Sequence, residues 1–495
     1  MFTEEFIMNS AKRLVSVLLI LTLISGCLGL NISASDGLLL PDYTMTEAQW
    51  DEYWSTVEGD NTQIALTPGS DETELNLNWH SERKAAVPMV KIADNAAMDN
   101  AKIFYGYSTL ADNNQQTNRV TVTGLEENTK YYYSYSLGKD NWSEPEFYIA
   151  RSADSFKALL VGDIQCSAVD DQTGYTDASN WNRLLNTALR NNPDTSFIIS
   201  CGDQTQTGAS AVEWAATLSP KAMRNLPMAT TIGNHDHKGT TYKHYVNNPN
   251  SQLISTSKTG SPYWFRYGDV LFVVFNTTNI NVFESHALAE KAIEANKDAK
   301  WRVALFHHDI YGTGHHACDD DNYLLQGVFS AILDKFEFDL AFDGHEHYYG
   351  RSYNMLNNEI VDLDYTANKV TDPDGTLYIT TASASGKNRV YDEPYNHSWI
   401  NFSYMSEELV YSEVEFTPNT FNIKTYAVDG NRLIDEYTIE KTDFTYSDID
   451  TSENLFDTDA LDRVLSHFMG DYYVIYVKVT EVIKFLLNTV KTVIG

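Results

Sequence analysis

The chain has little cysteine, little positive charge and no long apolar run, and each shortage excludes a class of protein. Only 4 cysteines occur in 495 residues, which excludes a small scaffold held together by disulfides. Lysine and arginine number 35 against 68 aspartates and glutamates, and the net charge of −33 argues against nucleic acid as a structural partner. The apolar run from Leu14 to Ile24 is too short to span a bilayer as a permanent helix. With 43% hydrophobic and 21% charged residues, the chain otherwise has the composition of a folded globular protein.

The first residues have the parts of an export signal. Lys12 and Arg13 precede the apolar run, and small residues follow it just before Cys27. Residues 24–27 also resemble a bacterial lipobox, in which the cysteine is lipidated and becomes the mature N-terminus. The alternative is ordinary cleavage without a lipid. We therefore expect residues 1–27 to direct export, and the mature protein to be a cell-surface lipoprotein carried on Cys27 or a secreted protein.

The rest of the chain divides into segments that differ in their pattern of polar and apolar residues. A length of 495 residues predicts two or three folded units. Residues 28–61 are typical of a linker and contain a short helix, expected at Thr46–Trp54. From 62 to 152, apolar and polar residues alternate in short runs with turns between them, which indicates a small β-sandwich. From 153 to 445, strand-like apolar runs alternate with amphipathic helices, which indicates a layered α/β domain.

The last segment, residues 458–495, predicts an amphipathic helix. Polar residues from Lys478 to Lys491 recur at spacings of three and four, and nearly everything between them is apolar. Such a helix can dock on its own protein or on a partner, or it can lie on a membrane surface. Together with a lipid on Cys27, it is a second potential membrane attachment.

Five short polar motifs each follow a strand-like apolar run. They are Gly162-Asp163-Ile164-Gln165, Gly202-Asp203-Gln204, Gly233-Asn234-His235-Asp236, His307-His308-Asp309 and Gly344-His345-Glu346-His347. In layered α/β folds, ligands bind at the carboxyl ends of the strands, so the five motifs are expected to converge on one edge. Asp, Asn and His suit iron, zinc or manganese, and the motifs supply the bridging carboxylate that a two-metal site requires. Cys166 and Cys201 lie beside two of the motifs and are interpreted as buried thiols rather than a disulfide.

The order of these motifs resembles that of the calcineurin-like metallophosphoesterase superfamily, and most of all its purple acid phosphatase branch. Val122–Leu125, Tyr131–Tyr133 and Trp142–Ser143 resemble the fibronectin type III-like N-terminal domain of that branch. The resemblance covers roughly residues 62–442. It implies an α/β four-layer sandwich, with two mixed sheets flanked by helices, preceded by an all-β fibronectin type III-like sandwich.

The resemblance also implies a role for each motif residue. Two divalent or trivalent ions (Fe, Zn or Mn) would be held by Asp163 and His347 on one side and by Asn234, His307 and His345 on the other, with Asp203 as the bridge. A hydroxide held by these ions would attack phosphorus. The substrate phosphate would be contacted by Asn234, His235 and His308. His235 would also protonate the leaving oxygen, and Asp236 would orient the His235 ring.

Two positions depart from the family pattern. Purple enzymes carry a metal-binding tyrosine three residues after the bridging aspartate, and Gln206 occupies that position here, so no purple colour is expected. Gln165 stands where many members have histidine, and its amide oxygen is either a weak metal ligand or a group that binds substrate or nothing. His307 is preferred to His308 as the ligand because Tyr311 follows it four residues later, as in the family.

The loop after His307 contains a second polar cluster, Gly314–His316 followed by Asp319–Asp321. It is either a lid that contacts the leaving group or a solvated loop.

The resulting prediction is a metal-dependent phosphomonoesterase that acts on a small phosphorylated substrate. A phosphodiesterase or nucleotidase with the same metal core is the first alternative. A non-catalytic cell-surface binding protein is the second, and the intact set of motif residues argues against it.

Overall fold

The structure is a computed structural model that describes residues 36–83, 86–112, 114–138, 141–169, 173–252, 255–388, 390, 397–442 and 445–447. The expected export signal with Cys27 and the expected amphipathic helix at 458–495 lie outside these residues. Residues 36–39 contain one 3-10 turn, Asp36–Leu38, and belong to a separate compact unit from the chain that begins at Leu40. Within the described ranges, no helix is both long enough and apolar enough to cross a membrane.

Helix α1 (Glu47–Val57) is the first helix of the main unit. It overlaps the helix expected at Thr46–Trp54 and ends three residues later. Thr46 is its N-cap and forms a capping box with Gln49, which satisfies main-chain donors at the helix start. Trp50 and Trp54 lie one turn apart and are buried, so the helix packs on the folded unit through one face. The predicted linker therefore includes an anchored helix.

The next strands form a sandwich of two sheets. The strands are β1 (Ala65–Pro68), β2 (Leu75–Glu82), β3 (Met89–Ala93), β4 (Lys102–Tyr105), β5 (Tyr107–Leu110), β6 (Gln115–Val122), β7 (Thr129–Gly138), β8 (Asn141–Trp142) and β9 (Glu146–Ala150). One sheet has the order β1-β2-β6-β5, and the other has the order β4-β3-β7-β8 with β9 also paired to β7. Side chains of both sheets, among them Leu77, Val90 and Tyr133, form one core. The all-β domain expected from the alternating pattern is confirmed.

The second domain contains the remaining elements. Its strands are β10 (Phe156–Val161), β11 (Phe197–Ser200), β12 (Met228–Thr230), β13 (Tyr263–Tyr267), β14 (Val270–Val274), β15 (Trp301–Leu305), β16 (Leu340–His347), β17 (Tyr349–Leu356), β18 (Glu359–Ile360), β19 (Lys369–Thr371), β20 (Thr376–Ala382), β21 (Ile400–Tyr404), β22 (Val410–Phe416), β23 (Thr420–Ala427) and β24 (Arg432–Glu440). Its helices are α2 (Tyr175–Asn191), α3 (Ala211–Leu218), α4 (Val282–Ala295) and α5 (Asp320–Lys335).

Two mixed sheets lie face to face in this domain. The 7-stranded sheet has the order β12-β11-β10-β22-β23-β24-β19, and the 8-stranded sheet has the order β13-β14-β15-β16-β20-β17-β18 with β21 beside β17. Residues of both sheets share one core, which includes Leu160 and Phe342. Helices α4 and α5 cover the outer face of the 8-stranded sheet. Helix α2 packs against β22 of the other sheet and against α3. The expected four-layer sandwich is confirmed.

Strand β14 shows why the sequences of the central strands are continuous apolar runs. Phe272 faces the core between the sheets, while Leu271 and Val273 face the helices. Because alternate side chains of a strand point to opposite faces, a strand buried on both faces needs apolar residues at every position. Polar residues in these strands therefore stand out at the ends, where the motifs lie.

Candidate metal centre

The five motifs meet at the carboxyl ends of the parallel strands. Strands β10, β11 and β12 run parallel to one another in the first sheet, and β14, β15, β16 and β20 do so in the second. A bridge between Gly162 and Ser383 links the ends of β10 and β20. Parallel strands place their carboxyl ends at one edge, so the loops that follow them surround a common space.

Asp163, Asp203 and His307 form the centre of this space. One donor atom from each lies within 4.8 Å of the other two, and all three side chains are buried. The Nε2 atom of His307 is 3.4 Å from Oδ2 of Asp203. Two carboxylates and an imidazole at these distances are suited to share metal ions.

His347 joins the same group through Asp163. Its Nε2 atom lies 3.3 Å from Oδ1 of Asp163. The amide of Asn234 contacts His307 instead, with 2.9 Å between Oδ1 and Nε2. His347 thus contacts Asp163, and Asn234 contacts His307.

Main-chain carbonyls orient the two imidazoles. Nδ1 of His307 lies 2.8 Å from the carbonyl oxygen of Cys201, and Nδ1 of His347 lies 2.6 Å from that of Lys387. A nitrogen at hydrogen-bonding distance from a carbonyl carries the proton, so in the neutral ring Nε2 keeps its lone pair. Metal-ligating histidines in proteins are usually held in this way.

Several buried polar atoms at the site have no hydrogen-bond partner. They include Oδ1 of Asp163, Oδ2 of Asp203 and both amide atoms of Gln165. Leaving such atoms buried and unsatisfied is costly, and bound cations would satisfy the oxygens among them, whereas the amide nitrogen of Gln165 is a donor. The residues present therefore fit a metal centre, and Gln165 is placed to offer its amide oxygen to it.

The electrostatics of the metal-free site are those of a tight ion pair. Burial disfavours the charged form of Asp203, but the imidazole of His307 outweighs burial and lowers the pKa of Asp203 to about 2. Burial likewise opposes the charge on His307, and Asp203 overcomes it and raises the pKa of His307 to about 10. A proton on His307 thus partly replaces the positive charge that a cation would bring.

His345 lies beside His307. Its main-chain N–H donates to Oδ2 of Asp163 over 2.9 Å. Its ring centroid lies 5.0 Å from that of His307 and 4.8 Å from that of His308. Burial and the nearby His308 lower the pKa of His345 well below its usual value, which keeps the ring neutral, as a ligand must be.

His308 turns away from the carboxylates towards a hydroxyl. Its Nδ1 atom is 2.8 Å from Oγ1 of Thr277. Burial and the adjacent His307 lower the pKa of His308 to about 3. The neutral ring therefore borders the site as a hydrogen-bonding group rather than as a charge, and Thr277 is a site residue that no sequence motif indicated.

His235 is tied to the metal site by its main chain. Its N–H donates to Oδ1 of Asp203 over 2.8 Å. Its ring is oriented by the main-chain oxygen of Gln206, which lies 2.7 Å from Nδ1. Burial lowers the pKa of His235, and the ammonium groups of Lys238 and Lys387 add to this effect.

The expected role of Asp236 is wrong in this geometry. Its carboxylate accepts main-chain N–H bonds from Gln204, Thr205 and Gly233 at 3.1 to 3.3 Å, and Gln206 rather than Asp236 orients the His235 ring. Burial and the neighbouring Asp203 raise the pKa of Asp236 to about 7. The buried carboxylate of Asp236 is bound by these three main-chain donors instead of by the His235 ring. Asp236 thereby joins the loops after β11 and β12.

The loop that contains the second histidine cluster reaches the site. The His316 ring centroid lies 4.4 Å from that of His345, and the main-chain N–H of His316 donates to Oε2 of Glu346 over 3.0 Å. His315, His316 and Asp319 are close enough together to share an ion, but His315 is exposed. The loop therefore contacts His345 and Glu346 of the last motif, and its role as a lid remains a prediction.

Five predicted site residues have left-handed backbone conformations. The φ angles are 51° for Asp163, 46° for Gln165, 51° for Asp203, 72° for His345 and 68° for His347. Non-glycine residues rarely adopt φ above zero, and such residues cluster at functional sites. Sequence patterns carry no signal for these angles, since the residues are not glycine.

Comparison with known proteins agrees with this geometry. Residues 156–349 match the calcineurin-like phosphoesterase family, and residues 61–148 match the purple acid phosphatase N-terminal domain. Purple acid phosphatase PPD1 from yellow lupin (Lupinus luteus) seeds has a similar structure, with a TM-score of 0.62 and 15% sequence identity over 79% of this chain and 77% of that one. PhoD has a TM-score of 0.52 and 13% identity over 84% of this chain and 98% of that one. At these identities the similarity shows the fold.

Proposed function

We propose that this chain, which matches the calcineurin-like phosphoesterase family over residues 156–349 and the purple acid phosphatase N-terminal domain over residues 61–148, is an exported hydrolase of phosphate monoesters with two metal ions in its active site. The observation that carries the proposal is the cluster of Asp163, Asp203 and His307, whose donor atoms lie within 4.8 Å of one another. Oxygens of both carboxylates are buried without hydrogen-bond partners. A pair of cations accounts for both facts.

The proposed ligands divide between the two ions. Asp163, His347 and Gln165 would hold one ion, Asn234, His307 and His345 would hold the other, and Asp203 would bridge them. When bound, such a pair supplies Lewis acidity that activates water and neutralises the charge of the phosphate. The metal can be Fe, Zn or Mn, because carboxylate, amide and imidazole donors suit all three.

The chain's own residues position the substrate. His235 donates its Nδ1 proton to the carbonyl of Gln206, so Nε2 can donate to the phosphate or protonate the leaving oxygen only when the ring carries a second proton. Asn234 and His308 lie beside the ligand cluster and complete the phosphate contacts. His316 lies beside His345, with 4.4 Å between the ring centroids, and would be a further wall of the substrate site. Asp236 acts indirectly, because it fixes the loops that carry Asp203 and His235.

The first experiment pairs elemental analysis with a substrate panel. Purified protein is expected to contain two metal ions per chain and to hydrolyse 4-nitrophenyl phosphate faster than bis(4-nitrophenyl) phosphate. Asp203→Asn removes the bridging charge, so both metal content and activity should be lost. Asp429→Asn is a matched control, because that carboxylate lies at the surface with 64% of its side chain exposed.

Two results would contradict this proposal. Wild-type activity in Asp203→Asn would show that Asp203 is not the bridge. Fully metallated protein that cleaves neither substrate would remove the proposed activity. Faster cleavage of the diester would instead favour the phosphodiesterase alternative.

The proposed location is the outside of the cell, with the lipid on Cys27 as the attachment. The basic pair, the apolar run and the lipobox-like residues 24–27 support it, and the amphipathic segment 458–495 is a second proposed contact with the membrane surface. Cys27→Ser is expected to move the protein from the membrane fraction to the soluble fraction. An unchanged distribution would exclude the lipid as the anchor.

A further inference from the structure

The loop before helix α5 brings two imidazoles and a carboxylate together outside the proposed dinuclear centre. One donor atom each of His315, His316 and Asp319 lies within 4.8 Å of the other two. Nδ1 of His316 is 2.9 Å from Oδ2 of Asp319, and Nδ1 of His315 is 3.6 Å from Oδ1. The two rings are stacked, with 4.9 Å between their centroids and 23° between their planes. One carboxylate thus faces two imidazoles at the same time.

The carboxylate of Asp319 does not serve the helix that it precedes. Asp319 is the N-cap of α5, where an aspartate normally accepts a main-chain N–H of the first turn, yet its side chain forms no capping bond. The loss of such a bond typically costs about 1 kcal/mol. Helix capping therefore does not explain the position of this carboxylate, whereas the two imidazoles that it faces do.

The main chain on both sides of the cluster is bonded to the rest of the domain. The N–H of His316 donates to Oε2 of Glu346 over 3.0 Å. In the first turn of α5, the side-chain amide of Asn322 donates to the carbonyl of Asp309 over 3.2 Å. The three side chains therefore extend from an anchored backbone, which limits the conformational entropy that is lost when they close on an ion.

The donor set selects the class of cation. Two imidazoles and one carboxylate suit a borderline ion such as Zn²⁺, whereas Ca²⁺ and Mg²⁺ prefer oxygen ligands alone. In a tetrahedral zinc site with bonds of about 2.0 Å, neighbouring donor atoms lie about 3.3 Å apart. The separations of 2.9 and 3.6 Å in this cluster are close to that value. Three protein ligands leave the fourth position open to water or another small ligand, unlike a closed structural zinc site.

Local charge favours a cation here, although helix α5 opposes it. The first turn of a helix carries about half a positive charge, which costs a cation at an exposed position about 0.3–1 kcal/mol. Against this, the sequence places three successive aspartates at the helix start, Asp319–Asp321, on a chain with a net charge of −33. His315 is exposed, and His316 and Asp319 are half-buried, so an ion can reach the cluster from solvent.

We propose that His315, His316 and Asp319 form a zinc site of their own, in which the two imidazoles and the carboxylate bind one Zn²⁺ and the fourth position stays open. The site is additional to the dinuclear centre and does not require that the centre hydrolyses phosphate esters. Because the His316 ring centroid lies 4.4 Å from that of His345, the ion would add positive charge next to the proposed substrate site.

The test counts metal ions in purified protein that keeps its resident metals. Protein is dialysed against increasing free Zn²⁺, and total bound metal is measured by elemental analysis, with calorimetry for the affinity. Wild-type protein is expected to bind one more ion per chain than the His315→Ala/His316→Ala double variant. His315→Ala or Asp319→Asn alone should weaken this ion by at least about tenfold, since even the loss of a group that supports a ligand has an effect of that size.

Controls separate this cluster from other zinc-binding groups. Cys318→Ser removes the exposed thiol that lies between the proposed ligands in sequence, and His286→Gln removes a histidine from α4. Both variants should keep the additional ion at wild-type affinity. Urea unfolding without added zinc is measured for every variant, and equal midpoints show that a lost ion does not reflect a lost fold.

The outcomes separate the zinc site from the proposed hydrolysis. Equal numbers of bound ions in wild-type protein and the double variant would overturn the site, as would wild-type affinity in Asp319→Asn. Loss of the additional ion in Cys318→Ser would assign it to the thiol, and binding of Ca²⁺ in place of Zn²⁺ would assign it to the acidic stretch; either result would overturn the proposal. An additional ion that only the cluster variants lose would support the site even if the protein cleaves no phosphate ester, and the proposed hydrolysis alone would then fail.

Discussion

Gly233→Ala is expected to disable the metal centre without replacing any proposed ligand. A Cβ atom at position 233 would lie 2.0 Å from Oδ1 of Asp203 and 2.3 Å from its main-chain nitrogen. The φ angle of Gly233 is not among the positive ones of the chain, so alanine causes no conformational strain there. The whole cost of the substitution therefore comes from the collision with Asp203.

Asp203 has no room to yield. Its carbonyl accepts the N–H of Gln165 over 2.8 Å, its Oδ1 accepts the N–H of His235 over 2.8 Å, and its φ is already 51°. Relief of the collision requires a shift of about 1 Å or more, and extra volume in a close-packed site costs about 1–3 kcal/mol. A shift of this size in a reacting group also costs about 100-fold in rate.

Two measurements check this prediction. Urea unfolding of the metal-free protein should show a loss of about 2 kcal/mol for Gly233→Ala, within the range for overpacked sites. Elemental analysis should show loss of bound metal. Gly430→Ala is the control, because Gly430 has a φ of 73° and no atom within 4 Å of the added Cβ, so only conformational strain of about 1 kcal/mol is expected and metal content should not change.

A Gly233→Ala variant with wild-type stability and full metal content would refute the reasoning. It would mean that Asp203 is free to move, and hence that the loops after β11 and β12 do not fix the proposed bridge. Loss of stability with full retention of metal would mean that metal binding restores the Asp203 position, and that the ligand cluster is adjustable rather than preformed.

Two further predictions concern protons and colour. In metal-free protein the pKa of His307 is raised to about 10, so its ion pair with Asp203 stabilises the fold fully below the unfolded pKa of about 6.5 and is lost as pH rises through about 10. A metal ion must displace this proton, so zinc binding at about pH 8 should release protons into weak buffer and tighten as pH rises; binding without proton release would contradict the ion pair. Protein loaded with ferric iron should show no visible charge-transfer band, because Gln206 stands where purple enzymes have tyrosine, whereas Gln206→Tyr should introduce one. A visible band in wild-type protein would exclude this interpretation.

The fold and the convergence of the motifs could be predicted from the sequence because both follow from strand periodicity. A central strand such as β14 is apolar on both faces, so Asp163, Asp203 and His307 stand out directly after such runs. Parallel strands end at one edge, which brings these three residues together. Strand periodicity does not predict which main-chain atoms form hydrogen bonds with these side chains. Nothing in the sequence indicates that the carbonyl of Lys387 faces His347.

Asp236 shows where sequence reasoning fails. A carboxylate next to a histidine suggests a side-chain pair, but adjacent residues in a tight turn point in different directions. The turn aims Asp236 at main-chain N–H groups of the loop after β11 instead. The distinction depends on backbone angles, which short motifs do not encode. Lys387 was missed for a related reason, since its loop is joined to the site only by tertiary contacts.

The left-handed residues determine which substitutions can test the metal centre. Each left-handed residue lowers the stability of the fold by about 1–2 kcal/mol relative to a residue with ordinary backbone angles. Main-chain hydrogen bonds around Asp163 and Asp203 hold both residues in this conformation. Asparagine tolerates this conformation better than alanine, so Asp203→Asn removes the charge and keeps the loop. Asp203→Ala removes the charge, the tolerated side chain and the bond from His235 together. A difference in metal-free stability between the two variants therefore measures the left-handed backbone and the bond from His235 together, while the metal loss that they share measures the carboxylate.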